Sequence, residues 1–595
     1  VATCATAAGA LTAGANAQTS GTGDKKVVFT VGFLNEPDSL NPFLGIEAES
    51  YEMWALTYDY MITYSQKDMS PQPGLAKSWK TSADGKTWTF DIRTGVKWSD
   101  GEDLTASDIA FTFNRILDGG PEAATWSSYL ASVESVTAPD DTTVVLELSE
   151  PNAVLPLLPI PIVPEHVWSK LSEKEVKSYA NEPPNVVGSG PFRIVEGTAG
   201  GSTFRFKANP DYWGGRSNLD EVVFRIYKAE DPAIQALQTG EIDFVEDITP
   251  TQVEALKDEP GITSQIGDSP GFDEIAFNTG SVDPETNKPI GNPNPAVTDP
   301  AFRYALGFAI DRQAIRERVY QGAGKVGDTI VPPAYSTYHW EPPESEAFRF
   351  DLEKAGQLLD EAGYRIGADG KRTLPNGDPI GTLRLFARTD SSGNTSVDVM
   401  QFFQEWLTEL GIDSEVQAVE SGKLTNIILE GTFDAFEWGW YVEPDPDSML
   451  SYMTCGQRGS WSDSWYCNQE YDRLYTEQHG EMDEAARAEM VKQMQQILYR
   501  DAPYLVTMYS TYGEAYRSDR FTNFTPQPNP GGILLVQYGV KNYLDIKPVK
   551  ASGGGESGLS GALVGAGVAV GAVGLGLVGI WLTRRRGAAS ADDRE

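Results

Sequence analysis

Residues 559–582 read LSGALVGAGVAVGAVGLGLVGIWL, 24 positions without a charge. At 1.5 Å per residue a helix of that length reaches about 36 Å, enough for a hydrocarbon core of roughly 30 Å with some tilt. Arg584, Arg585 and Arg586 follow almost at once. Positive charge stays on the cytoplasmic side of a membrane. The expectation is therefore one spanning helix, with 583–595 inside and everything before Leu559 outside. Residues 549–558 contain Gly553, Gly554 and Gly555 and read as a flexible linker. Gly561 and Gly565, and Gly567 and Gly571, have the small-residue spacing of a helix-dimer face, although glycine is common in spans generally.

The other end supports the same placement. Val1–Ala17 is small and uncharged, and Ala15-Asn16-Ala17 fits an A-x-A cleavage pattern, so 1–17 reads as the remnant of a secretory signal peptide. Val1-Ala2-Thr3-Cys4 also offers a lipoprotein-type site, with threonine before Cys4 where glycine or alanine is usual. Outside the cytoplasm thiols oxidise. Cys455 and Cys467 are expected to pair rather than stay as free thiols, closing a short loop worth about 3 kcal/mol of unfolded-chain entropy.

The body between these ends is too long for one core, which stops growing near roughly 250–300 residues, so at least two domains are expected. The chain carries 47 basic and 85 acidic residues, a formal charge of −38. That repels a phosphate backbone and argues against a nucleic-acid binder. Three cysteines and three histidines (His166, His339, His479), far apart in sequence, leave no basis for a metal centre, and no cofactor is expected.

Helices and strands intermix, which gives a mixed α/β class. Val27–Phe33 reads as a buried strand and Ser50–Tyr64 as a helix with an aromatic face. Thr87–Arg93 alternates apolar and polar residues ahead of the Asp100-Gly101 turn. Thr105-x-x-Asp108 opens a helix whose stripe is Ile109, Phe113, Ile116 and Leu117. Val133–Leu148 is a hairpin turning at Pro139-Asp140-Asp141. Later come strands near 204–208, 221–227, 242–245, 382–387 and 413–419. Long helices are expected at Pro300–Tyr320, Ser396–Leu410 and Arg487–Arg500, and a late strand at Tyr504–Ser510.

Several stretches carry more specific information. Residues 74–116 read GLAKSWKTSADGKTWTFDIRTGVKWSDGEDLTASDIAFTFNRI. Gly188-Ser189-Gly190-Pro191-Phe192, Asn209-Pro210-Asp211-Tyr212-Trp213, Gly240-Glu241-Ile242-Asp243, FRYALGFAIDRQAI from Phe302 and DAFEWGWYVEPDPDSML from Asp434 follow in order. Together they resemble the extracellular solute-binding proteins of family 5, the peptide and oligopeptide receptors of ABC importers. The resemblance covers about 27–545.

That resemblance implies a two-lobed periplasmic-binding-protein clamp with an extra domain. Lobe I would combine 27–70, 186–275 and 507–548. The extra domain would be 71–185 and the other lobe 276–506. The lobes would close on a short peptide held by its backbone. Partner permease and ATPase subunits would be separate chains, since no P-loop lysine motif occurs.

The ligand ammonium would need a carboxylate, because an unpaired buried charge is costly. By position Glu443 is the first candidate, where relatives carry aspartate, and Asp445 the second; a purely structural loop is the third reading. Trp438 and Trp440 share one face of a strand, as pocket walls or as core. Arg388 is placed to pair with a ligand carboxylate, or else is a surface arginine. Glu36, Ser39 and Asn41 lie in the first cleft loop and are expected to line the cleft.

The same fold accommodates an oligosaccharide or another small solute as an alternative ligand. An anchored extracellular hydrolase is the alternative of another class. Gly267-Asp268-Ser269-Pro270-Gly271 fits G-x-S-x-G, but Pro270 lacks the N–H that an oxyanion hole needs. Gly322-x-Gly324-x-x-Gly327 follows a helix, where a dinucleotide site requires a strand. A binding protein without a catalytic step is the reading these residues favour.

Overall fold

A computed structural model describes residues 26–550, apart from 46, 121–125, 158, 390–394 and 536–538. The expected signal remnant, Cys4, the 559–582 run and the arginine triplet lie outside the described residues. Among the described residues no helix is long and apolar enough to cross a membrane.

Two long antiparallel strands, Ile262–Phe277 and Tyr504–Arg517, run through the middle of one continuous sheet. Their register runs from Ile262 opposite Arg517 to Ala276 opposite Tyr504, with shifts between Asp268 and Phe272 and between Asp273 and Glu274. Toward one end Phe244–Ile248 pairs with the second long strand, followed by Val28–Phe33, Glu221–Ile226, Thr203–Ala208 and Phe192–Glu196. Toward the other end Ala435–Tyr441 pairs with the first long strand, followed by Leu383–Arg388 and Ser414–Val419. Val28–Phe33 is parallel to both neighbours and buried on both faces, which explains its unbroken apolar run.

A separate antiparallel sheet runs Ala76–Thr81, Thr87–Ile92, Thr143–Leu148, Val133–Asp140. Alternation in TWTFDI puts Trp88, Phe90 and Ile92 inside. The helix Ala106–Leu117 packs on this sheet. Its start is the expected capping box: the Thr105 hydroxyl accepts from the Ser107 amide at 3.3 Å, and Asp108 accepts from the Thr105 amide at 2.9 Å.

The apolar core is divided accordingly. One cluster joins Trp88, Phe90, Phe113 and Trp126. Another joins Phe29, Phe206, Phe224 and Phe244 with Tyr543 from the late chain. Two more, around Phe302, Phe403 and Leu407 and around Phe272, Phe436 and Met494, flank the far end of the long strands.

Three expectations change. The helix expected over Ser50–Tyr64 is Ala48–Thr57, and Ile62–Tyr64 is a strand paired with Pro71–Pro73. The Thr57 carbonyl takes the Gly190 amide at 2.9 Å instead of a helical amide, and Tyr58 is extended. The helix expected over Pro300–Tyr320 is two helices, Pro300–Gly307 and Arg312–Arg318. Asp311 caps the second through the Ala314 amide at 2.9 Å, and the buried Arg312 guanidinium takes the Gly307 carbonyl at 3.0 Å. The strand Ile262–Phe277 is an addition to the expected elements; Pro270 and Gly271 sit inside its register shift between Asp268 and Phe272. The Gly267–Gly271 pattern is thus part of a continuous strand, not a strand-to-helix elbow.

Candidate ligand site

The segment after Ala435–Tyr441 crosses a proline-rich turn into the short helix Asp447–Tyr452. A cavity of about 310 Å³ lies between this region and the 129–157 stretch. Tyr129, Asn152, Glu443, Asp447, Tyr452 and Trp461 contribute to its lining.

Glu443 accepts hydrogen bonds from the Tyr129 hydroxyl and, at 3.1 Å, from Ser448 Oγ. No lysine or arginine forms an ion pair with it among the described residues. Burial pushes its carboxyl up, and Asp445 and Asp447 push the same way; the two hydroxyls pull it back, to about 6. At neutral pH it is a carboxylate held by hydroxyls alone.

Asp445, two residues on, is in the opposite state. Arg487 donates to it in a bidentate pair at 2.6 and 2.7 Å, both side chains buried. The same guanidinium donates to Gln478 Oε1 at 3.0 Å and to Tyr338 at 2.9 Å. Asp445 therefore braces the turn. Asp447 accepts from Gln478 at 2.6 Å and faces His479 at 3.2 Å. Burial raises Asp447, but His479 and Arg487 outweigh it and hold the carboxyl below its ordinary value.

Trp438 and Trp440 are both half-buried on one face of their strand. The Arg388 guanidinium lies 4.7 Å from the Trp438 ring and donates to Glu437 at 3.0 Å. Arg388 is thus half-buried and paired, not the surface arginine that was one of its two readings. Glu274, opposite Trp438, is fully buried, and its carboxyl oxygens have no hydrogen-bond partner among the described residues. Burial also pushes Asp273 and Asp463 up to about 7.

The first loop divides. Glu36 is exposed and paired with Lys228. Ser39 Oγ accepts from the Asn41 amide at 3.0 Å. Asn41 is fully buried, and its amide donates to the carbonyls of Val176 at 3.1 Å and Tyr179 at 2.8 Å. It fastens the loop against the 173–179 segment rather than facing an opening, a role that follows from burying a polar side chain with its partners.

Cys455 and Cys467 are joined by a disulfide. The loop it closes carries Gln457 and Trp461 to the cavity. Sequence reasoning missed Tyr129, Ser448, Tyr452 and Trp461. Only Trp461 had a signal, as an aromatic residue inside a closed loop. Tyr129 sits more than 300 positions from Glu443 and nothing local marks it.

Among the described residues, no group of histidine, cysteine and carboxylate side chains is arranged to hold a metal ion.

Residues 70–461 match the family described as bacterial extracellular solute-binding proteins, family 5, middle. The chain is 28% identical over 541 residues to heme-binding protein A of Haemophilus influenzae, covering 86% of this chain and 92% of that one. It is 25% identical over 509 residues to the dipeptide-binding protein of Escherichia coli, covering 81% and 89%. The fold resembles that of the oligopeptide-binding protein AppA of Bacillus subtilis, solved with a nonapeptide, at a TM-score of 0.70 and 23% identity, covering 88% of this chain and all of that one.

Proposed function

The chain belongs to the bacterial extracellular solute-binding proteins of family 5, and on that premise we propose that it captures short peptides outside the cytoplasm and hands them to an ABC permease. The observation that carries this reading is Glu443: a half-buried carboxylate with no cationic partner among the described residues, on the wall of a cavity. A ligand ammonium supplies the missing charge, and the buried pair gains what neither partner has alone. Tyr129 and Ser448 pre-orient the carboxylate, which lowers the cost of binding.

Lobe closure over the peptide supports the long-strand architecture as a hinge: both crossing strands join the two halves of the sheet. Arg388, stacked and already paired with Glu437, is the candidate for the ligand carboxylate, with Trp438 and Trp440 as flat walls. The run 559–582 serves as the tether. The dipeptide-binding relative supports peptides as the ligand class. No step of this cycle requires catalysis.

The test is thermal unfolding of the full chain with trialanine, N-acetyl-trialanine and maltotriose. Ligands that bind the folded state raise the melting temperature by mass action. Trialanine is expected to raise it and its acetylated form is not. Because the Glu443 carboxyl titrates at about 6, trialanine affinity is expected to fall about tenfold from pH 7 to pH 5, and Glu443→Gln to remove that dependence. Equal binding of the acetylated peptide, or a rise with maltotriose alone, overturns the reading.

A further inference from the structure

A second group of acids has no cation among the described residues. The first helix, Ala48–Thr57, places Glu49 and Glu52 one turn apart on the face that carries Met53 and Leu56 to the core. Beneath it, the strand Phe244–Ile248 carries Glu246, with Asp247 next to it. The adjacent long strand carries Glu514 and Tyr512. Two of these carboxyls are occupied. Glu52 accepts from the Tyr543 hydroxyl, and Glu514 accepts from the amides of Leu534 at 2.8 Å and Leu535 at 3.1 Å and from Gln265 at 3.0 Å.

Glu246 is different. It is 4% exposed, and no hydrogen-bond donor among the described residues reaches it. The charges that act on it most strongly are Glu52, Glu49, Glu514 and Asp247, all of one sign. Asp247 is exposed, sits at φ 56°, and feels Glu49 and Glu230 with only the Asn35 amide to offset them. Lys228, which follows the neighbouring strand Glu221–Ile226, is tied to Glu36. A buried carboxyl without a cation, such as Glu246, is costly to keep, and a fold normally compensates it.

The place also matters. Val28–Phe33 and Phe244–Ile248 are parallel, and Asn35, Glu246 and Asp247 lie at their carboxyl ends, with Glu49 in the first turn of the helix above. In open α/β sheets that edge is where ligands bind.

We propose that this wall, Glu49, Glu246 and Asp247 with Asn35, takes a cationic group of the ligand, the ammonium of a lysine or the guanidinium of an arginine side chain, so that the cargo is a basic peptide. That the cation is carried by a peptide rests on the reading above; the cation site itself does not. Burial holds Glu246 above its ordinary value, and Asp247, although part of its surface is open to solvent, is raised to about 6 by loss of water around its carboxyl first and by Glu49 and Glu230 after it. An arriving cation lowers them again, so binding releases protons. The groups facing this wall are Glu49 and Glu52 on the helix, Glu230, Glu514, and the Tyr512 and Tyr543 hydroxyls.

The experiment is titration calorimetry of the full chain with trilysine, trinorleucine and the free diamine 1,5-diaminopentane, in buffers of different ionisation heat. Trilysine is expected to bind at least about tenfold more tightly than trinorleucine, with net proton release. The double variant Glu49→Gln, Asp247→Asn is expected to bring that ratio to within about twofold. Both changes are near-isosteric, and asparagine tolerates a positive φ. Glu246→Gln provides a second readout, loss of proton release. Equal affinity for the two peptides, or a ratio unmoved in the double variant, overturns the cation site while leaving peptide binding intact. Diamine binding that the double variant abolishes, with no peptide bound, keeps the site and overturns the peptide reading. If neither peptides nor diamine bind, both fall.

Discussion

Buried carboxylates are compensated differently at the two ends of the long strands. Near the segment 435–447 the protein supplies cations: Arg388 for Glu437, Arg487 for Asp445 and His479 for Asp447. Glu443 is the exception in that row. Around the first helix no cation is supplied by the described residues, and Glu52 and Glu514 are held by a hydroxyl, an amide side chain and backbone amides. What differs between the two places is the kind of partner. Beside Glu437 the Arg388 guanidinium pulls the carboxyl down against burial without overcoming it, whereas at Glu52 and Glu514 only neutral donors oppose burial.

The largest expected effect lies in the first region. Arg487→Met leaves Asp445 buried without its bidentate partner and is expected to cost about 3–5 kcal/mol in urea unfolding. A loss under about 1 kcal/mol breaks the contrast, because it makes the ion pair dispensable.

The next tests the second region. Glu514 titrates at about 7 in the folded chain against an ordinary 4.5. A raised carboxyl means the folded state holds its proton while the unfolded state has lost it. Stability from this group is therefore full below about pH 4.5 and lost as pH rises through about 7, a decline on the order of 3 kcal/mol. Glu514→Gln is expected to flatten the melting-temperature profile between pH 5 and pH 8. An unchanged profile places the proton elsewhere in the cluster.

The smallest concerns His479. Burial lowers its imidazole, but the bond and charge of Asp447 outweigh burial and raise it above the usual 6.5. Its contribution is full below that value and fades as pH rises through the raised one. His479→Gln is expected to cost about 1 kcal/mol at pH 5.5 and less at pH 8. A cost that grows with pH reverses the assignment.

Much of this was legible in advance. The capping box at Thr105, the TWTFDI alternation and the ordered motifs from Gly74 to Leu450 are local patterns, and local patterns survive folding. The pairing of Cys455 with Cys467 was legible from compartment and spacing. The site was legible only in part. The sequence ranks Glu443 ahead of Asp445 by motif position alone; what separates them physically is Arg487, 42 positions from Asp445, and Tyr129, 314 positions from Glu443. Asn41 read as a cleft residue because its loop resembles the family's first cleft loop; burial against Val176 and Tyr179 made it a fastener instead.

The sequence by itself determined the class, the family, the acidic surface and the cap and turn chemistry, because each depends on residue type and short spacing. Tertiary structure alone decided which carboxylate is free, which strand crosses between the halves of the sheet, and which acids meet without a cation. Charge compensation is a property of distance in space. Glu49, Glu246 and Glu514 come from three separate parts of the chain, and only folding brings their like charges together.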